Sequence, residues 1–270
     1  MCQISSKVGL FAMVLCSSLL GSRAAIAAQP TTVPLVNHGP TLSADIGGHK
    51  VRLMFDLGNA AALALPHATL DVLGITPTGP GRKFMGFKGD TVESRSFEVP
   101  RLSIGSAVFM NVTGIEDFHD QASYGAQGFI GPSLLVAYRV VLDYRGGKMT
   151  LIPPEARHIE QAGCLGTAVA TPDGVAKAQT DFGDLVLVWD TGAGVSFIRK
   201  SRIDPKHAKV VNDAVRAQHF RLNGVDFGPL GFRLIEFSEP PGVDGFIGGN
   251  FFARHVVCLD FPGKRILIQR

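Results

Sequence analysis

The chain is poor in charge, in helix signals and in the motifs of most hydrolases. Only 18% of its 270 residues are charged, and no run of five or six like charges occurs, which argues against nucleic-acid binding. There is no Gly-x-Ser-x-Gly elbow and no His-Glu-x-x-His, so neither a serine-hydrolase turn nor a zinc-protease helix is encoded. No Gly-x-Gly-x-x-Gly follows a strand-like run, which removes the usual dinucleotide fingerprint. The eight histidines are scattered without ligand spacing, so no metal and no cofactor is expected. No apolar run is long enough to cross a bilayer as a helix.

What is present is a large apolar fraction, 46%, ample for a well-buried core of one large domain or two small ones. Residues 1–27 read as a secretory signal peptide. Lys7 precedes a mostly apolar stretch from Val8 to Leu20, and Ala25-Ile26-Ala27 supplies the small-residue cleavage pattern. A membrane anchor is the alternative, but the stretch is too short for one. Cleavage after Ala27 removes Lys7 and Arg23 and no acid, leaving 24 bases against 23 acids. The mature chain is then expected to be periplasmic or secreted, without membrane association. It keeps two cysteines, Cys164 and Cys258, which either form one disulfide or stay as separate buried thiols.

Glycine (32) and proline (16) recur among short runs of Val, Ile, Leu and Phe, a pattern of many short strands and turns. Ile46-Gly47-Gly48-His49 reads as a hairpin turn between Thr41–Asp45 and Lys50–Phe55. The helical candidates are short: Gly131–Ala137, Asp204–Ala214 and Gly249–Arg254. The chain is also self-similar. Val51 to Ala60 parallels Leu185 to Gly194, each an apolar strand ending in Asp-x-Gly. Gly128-Phe-Ile-Gly131 parallels Gly245-Phe-Ile-Gly248, and Val140-Val-Leu-Asp-Tyr144 then aligns without a gap on Val257-Cys-Leu-Asp-Phe261. Three matched elements in one order imply two copies of a β-rich unit, at residues 33–153 and 164–270, with a proline-broken linker near Pro153-Pro154.

Asp56 and Asp190 hold equivalent places in the two copies, at the ends of greasy strands where an unpaired charge is costly. If a pseudo-twofold axis brings them together, two close carboxylates share one proton. One then acts as general base toward water and the other donates to an amide carbonyl. At these residues the chain resembles the pepsin-like and retropepsin-like aspartic proteases. The resemblance rests on Val188-Trp189-Asp190-Thr191-Gly192, Phe246-Ile247-Gly248 and Leu259-Asp260-Phe261, and on Met54-Phe55-Asp56-Leu57-Gly58, Phe129-Ile130-Gly131 and Leu142-Asp143-Tyr144. It covers nearly the whole mature chain.

The resemblance implies a mainly β, bilobal fold of two β-barrel-like lobes and an aspartic endopeptidase acting on a peptide or protein substrate. Asp56 and Asp190 would be catalytic, with Gly58, Asn59, Thr191 and Gly192 supporting the site. The first copy has 72 residues between Asp56 and Gly128 against 55 between Asp190 and Gly245. That extra length places the family's flap at Lys83–Val92, with Phe84 or Phe87 toward the cleft; an ordinary surface hairpin is the alternative. A monomer is expected, because one chain already carries both halves. The main departure is Leu57, where the family has a threonine or serine whose hydroxyl braces the dyad. The rival reading is therefore a non-catalytic peptide-binding protein of the same fold.

Overall fold

The computed structural model describes residues 24–25, 29–85, 91–117, 125–157, 159–170, 175–204, 208–238 and 240–269. Short β-branched and aromatic runs become strands throughout, and they assemble into two sheets. The smaller sheet has eight strands, in the order 214–217, 230–235, 197–199, 245–247, 183–189, 175–180, 220–222 and 225–226. The larger runs without a break from the second lobe into the first. Its junction is six antiparallel strands in the order Thr167–Ala170, Arg265–Ile268, Val257–Asp260, Arg139–Asp143, Lys148–Ile152 and Thr31–Val36.

The pseudo-twofold axis lies in this junction. Val141 pairs with Cys258, flanked by Val140 with Leu259 and Leu142 with Val257. Exchanging the lobes carries Val140 to Val257, Val141 to Cys258 and Leu142 to Leu259, so the central pair maps onto itself. Beneath it, Val141, Ile152, Cys164, Cys258 and Leu267 form a small core of their own. Cys164 and Cys258 are joined in a disulfide, with Cα atoms 5.1 Å apart. Arg139 and Arg265 flank the buried Asp260 at 3.0 and 2.7 Å, neutralising a charge that could not stay buried alone. Asp143 and Asp260 each cap their own hairpin, accepting from Gly146 and Gly263 N–H, as structural residues do.

The glycine hairpin forms between Thr41–Ile46 and His49–Phe55, with Gly47 and Gly48 both at positive φ (59° and 92°). The helix expectations fare unevenly. Gly249–Phe252 is helical, and Pro132–Leu134 is a single 3₁₀ turn. The described part of 204–214 holds no helix. Asn212 and Asp213 take positive φ and make a turn that returns Ala214 to Val211. The seven-residue helix His67–Leu73 was not expected. Pro66 starts it, Gly74 in the left-handed region stops it, and Leu70 anchors it in the core.

Candidate active site

Each aspartate hangs at the end of a strand clamped by a second strand from later in the same lobe. Phe55 closes the strand His49–Phe55, and Trp189 closes Gly183–Trp189. Phe129–Ile130 pairs in parallel with Met54 and Phe55, and Phe246–Ile247 with Val188 and Trp189. The main-chain N–H of Asp56 donates to Ile130 O at 2.9 Å, and that of Asp190 to Ile247 O at 3.0 Å. The returning strands, Leu63–Pro66 and Phe197–Arg199, pair antiparallel with the other edge of the same short strands. Each aspartate loop is therefore drawn across the end of the strand that pins it.

The glycine after Phe-Ile explains itself here. A Cβ on Gly131 would lie 2.2 Å from Ala61 O and 2.4 Å from Asn59 O. One on Gly248 would lie 2.5 Å from Val195 O and 2.8 Å from Ala193 O. Any side chain would push the aspartate loops out of place, so both positions need glycine.

The two carboxylates meet at the lobe junction, close enough for each to bear on the other's ionisation. A Cβ on Gly58 would stand 3.2 Å from Asp56 Oδ1 and 3.3 Å from Asp190 Oδ1, so both oxygens converge on that glycine. A Cβ on Gly192 would fall 2.8 Å from Asp56 Cγ. Gly58 N–H donates to Asp56 Oδ1 at 2.8 Å and Ala193 N–H to Asp190 Oδ1 at 2.9 Å. Burial pushes the Asp56 carboxyl up to about 7, helped by the neighbouring Asp190 charge and opposed by Gly58 N–H. Burial also raises Asp190, against the pull of Ala193 N–H. Two such groups in contact hold one proton between them over a wide pH range.

Thr191 reaches across the junction. Its Oγ1 accepts from Leu57 N–H at 3.0 Å and donates to Phe55 O at 2.7 Å, so one hydroxyl from the second lobe braces both flanks of Asp56. Leucine cannot return the bond. The half-buried Leu57 packs instead against the apolar core. Asn59 does not take over that role: its side-chain oxygen accepts Ala61 N–H at 2.9 Å and steadies its own loop. Phe84 lies in the hairpin of Gly81–Met85 with Thr91–Ile104, where Phe84 pairs with Val92. Phe87 and the turn at 88–90 lie outside the described residues.

Two features escaped sequence reasoning. Tyr144 is only 3% exposed, and its hydroxyl has no hydrogen-bond partner among the described residues. Burial first, then the charges of Asp190 and Asp56, push its phenol far up, so it stands neutral within the field of both carboxylates. Its equivalent in the second copy is Phe261, and that mismatch was the available signal. The second feature is a clamp in the second lobe. Ser196 N–H and Oγ–H both donate to Asn250 Oδ1 at 2.7 Å, and Gly248 N–H donates to Ser196 Oγ at 2.9 Å.

No protein-family model matches the chain, and no curated protein matches it. Among solved structures it is similar to an aspartic proteinase from Irpex lacteus, with 14% identity over 88% of this chain and 96% of that one, at a TM-score of 0.59. The fold is that of a bilobal aspartic protease. A retropepsin-like aspartic protease from Rickettsia conorii also aligns, over 45% of this chain and 89% of its own, with 19% identity and a TM-score of 0.35.

Proposed function

We propose that the protein is an exported, monomeric aspartic endopeptidase that arose by duplication of one lobe and cleaves peptides through Asp56 and Asp190. The observation that carries this reading is the convergence of two half-buried carboxylates, both with raised pKa, at the junction of the lobes. In the singly protonated pair the ionised member takes a proton from a bound water as it attacks the peptide carbonyl. The protonated member hydrogen-bonds the carbonyl oxygen, and the proton gained from water then serves the leaving amine. The low-dielectric surroundings supplied by Phe55, Trp189 and their neighbours favour proton sharing over full ionisation. A disulfide at Cys164 and Cys258 supports export, since such bonds persist in oxidising compartments.

One observation favours the second reading, a peptide-binding protein without turnover: Thr191 supplies a hydroxyl brace beside Asp56, and Leu57 cannot return one beside Asp190. Cleavage of a mixed peptide library from acidic to neutral pH decides between them. The expected result is a bell-shaped profile, abolished by Asp56→Asn and by Asp190→Asn, with the double variant no worse than either single one. Silence at every pH, with extended peptides still bound, establishes the binding protein instead. Full activity in Asp56→Asn overturns the two-carboxylate mechanism.

A further inference from the structure

On the second lobe a pocket of about 540 Å³ adjoins the loop that carries Asp190. Its lining includes Ala214 and Gly231, small residues on neighbouring strands, and a Cβ on Gly231 would meet nothing within 4 Å. Lys209, Arg216 and Arg233 also line it, all exposed. Ala214 pairs with Arg233 and Arg216 with Gly231, which makes the two arginines diagonal neighbours on one face, about 7–8 Å apart at Cα. None of the three cations has an ion pair among the described residues. The nearby acids are engaged elsewhere: Asp213 faces Lys200 at 3.2 Å, and Asp181 accepts the N–H groups of Gln218 and His219. Val195 and Val211, 48% and 53% exposed, add an apolar component.

This wall is continuous with the catalytic loop. Ala193 N–H holds Asp190, and two residues later Val195 lines the pocket. Ser196 and Asn250, the clamp behind that loop, line it too. In a mature chain with nearly balanced charge, three uncompensated cations around one concavity form a local positive field.

We propose that this pocket is a specificity subsite for the carboxylate of an aspartate or glutamate side chain in the bound peptide. The proposal rests on the reading of the Asp56–Asp190 site as a peptide cleft. Arg216 and Arg233 supply planar donor forks that suit a carboxylate, Lys209 adds a third charge, and the valines take the side-chain methylenes. Because the pocket begins beside one aspartate loop, the preference belongs to a single position along the peptide. The bland competitor is a solvated set of cations that keeps the edge strand Ala214–Ala217 from pairing with other chains. Such a set attracts acidic peptides at every position alike.

The test uses two readouts on the same peptides, a neutral parent and a set with glutamate or glutamine placed at each position in turn. Cleavage is followed as kcat/KM, and binding is followed independently by calorimetry, which needs no turnover. Glutamate at one position should improve both by about tenfold over glutamine at low salt, with the advantage shrinking as ionic strength rises. In the Arg216→Glu/Arg233→Glu variant, checked for an unchanged melt, that position should prefer lysine over glutamate. An equal glutamate effect at all positions overturns the subsite, as does a preference that survives the charge reversal. Absence of any glutamate effect on binding overturns it as well. A position-specific binding effect without cleavage leaves the subsite standing and removes the protease reading.

Discussion

The two aspartate loops have the same path but are held very differently. In the second, Thr191 reaches across the junction, and Ser196, Asn250 and Gly248 form a closed set of hydrogen bonds behind the loop. At the equivalent places in the first, Leu57 makes no side-chain bond, Ala62 has no hydroxyl, and Ser133 offers a single bond to Ala60 O at 3.3 Å. The axis shows the same asymmetry: Cys258 carries a disulfide, while its counterpart is Val141. Each carboxylate is held by its own loop, but the hydroxyl brace across the junction comes from the second lobe. A dyad needs two acids, but it does not need two equal scaffolds.

The largest expected loss comes from the disulfide, which spans 94 residues. Replacing both cysteines by alanine should remove about 4–5 kcal/mol by the chain-entropy estimate. Urea unfolding of the oxidised protein and the double variant measures it, and equal midpoints would show that the axis core holds without the bond. Thr191→Val comes next, because it leaves Leu57 N–H and Phe55 O unpaired at the junction. A loss of about 2–4 kcal/mol is expected from unfolding curves, with peptide cleavage falling at least a hundredfold.

Asp56→Asn reads the electrostatic side of the comparison. The folded carboxyl sits at about 7 against an ordinary 3.8, so the folded state favours its protonated form. Its stabilising contribution is complete below about pH 4 and is lost as pH rises through 7. The variant, having no charge to bury, should gain in melting temperature over the parent as pH rises across that window. A constant difference from pH 4 to 7 would show that Asp56 titrates as an ordinary surface acid. The smallest effect is a gain. Leu57→Thr adds the hydroxyl that the first loop lacks and should stabilise by about 1 kcal/mol, with turnover rising severalfold. Unchanged turnover would mean that Thr191 alone already holds Asp56 in its productive position.

Much of the frame was legible because it is written as local pattern. Apolar runs ending in Asp-x-Gly mark strands that must turn sharply, and Phe-Ile-Gly marks a strand whose following glycine another backbone presses against. Both signals occur twice in register, so the paired loops and their aspartates could be located without coordinates. Other features depended on partners far away in the chain. The bond from Thr191 to Phe55 O spans 136 residues, and nothing near Thr191 says which carbonyl it will find. The segment 204–214 carries helix-compatible residues, yet its end is the turn at Asn212 and Asp213 that leads into the strand Ala214–Ala217.

By itself, then, the sequence determined a strand-rich chain with a repeated pattern, an apolar run ending in Asp-x-Gly in each half, because side-chain periodicity and turn chemistry act over a few residues. Only the tertiary structure decided that the carboxylates converge on Gly58, that a neutral Tyr144 stands within their field, and that Thr191 braces the junction from the second lobe. Burial and electrostatic coupling depend on distances through space, and those exist only once strands more than a hundred residues apart have packed together.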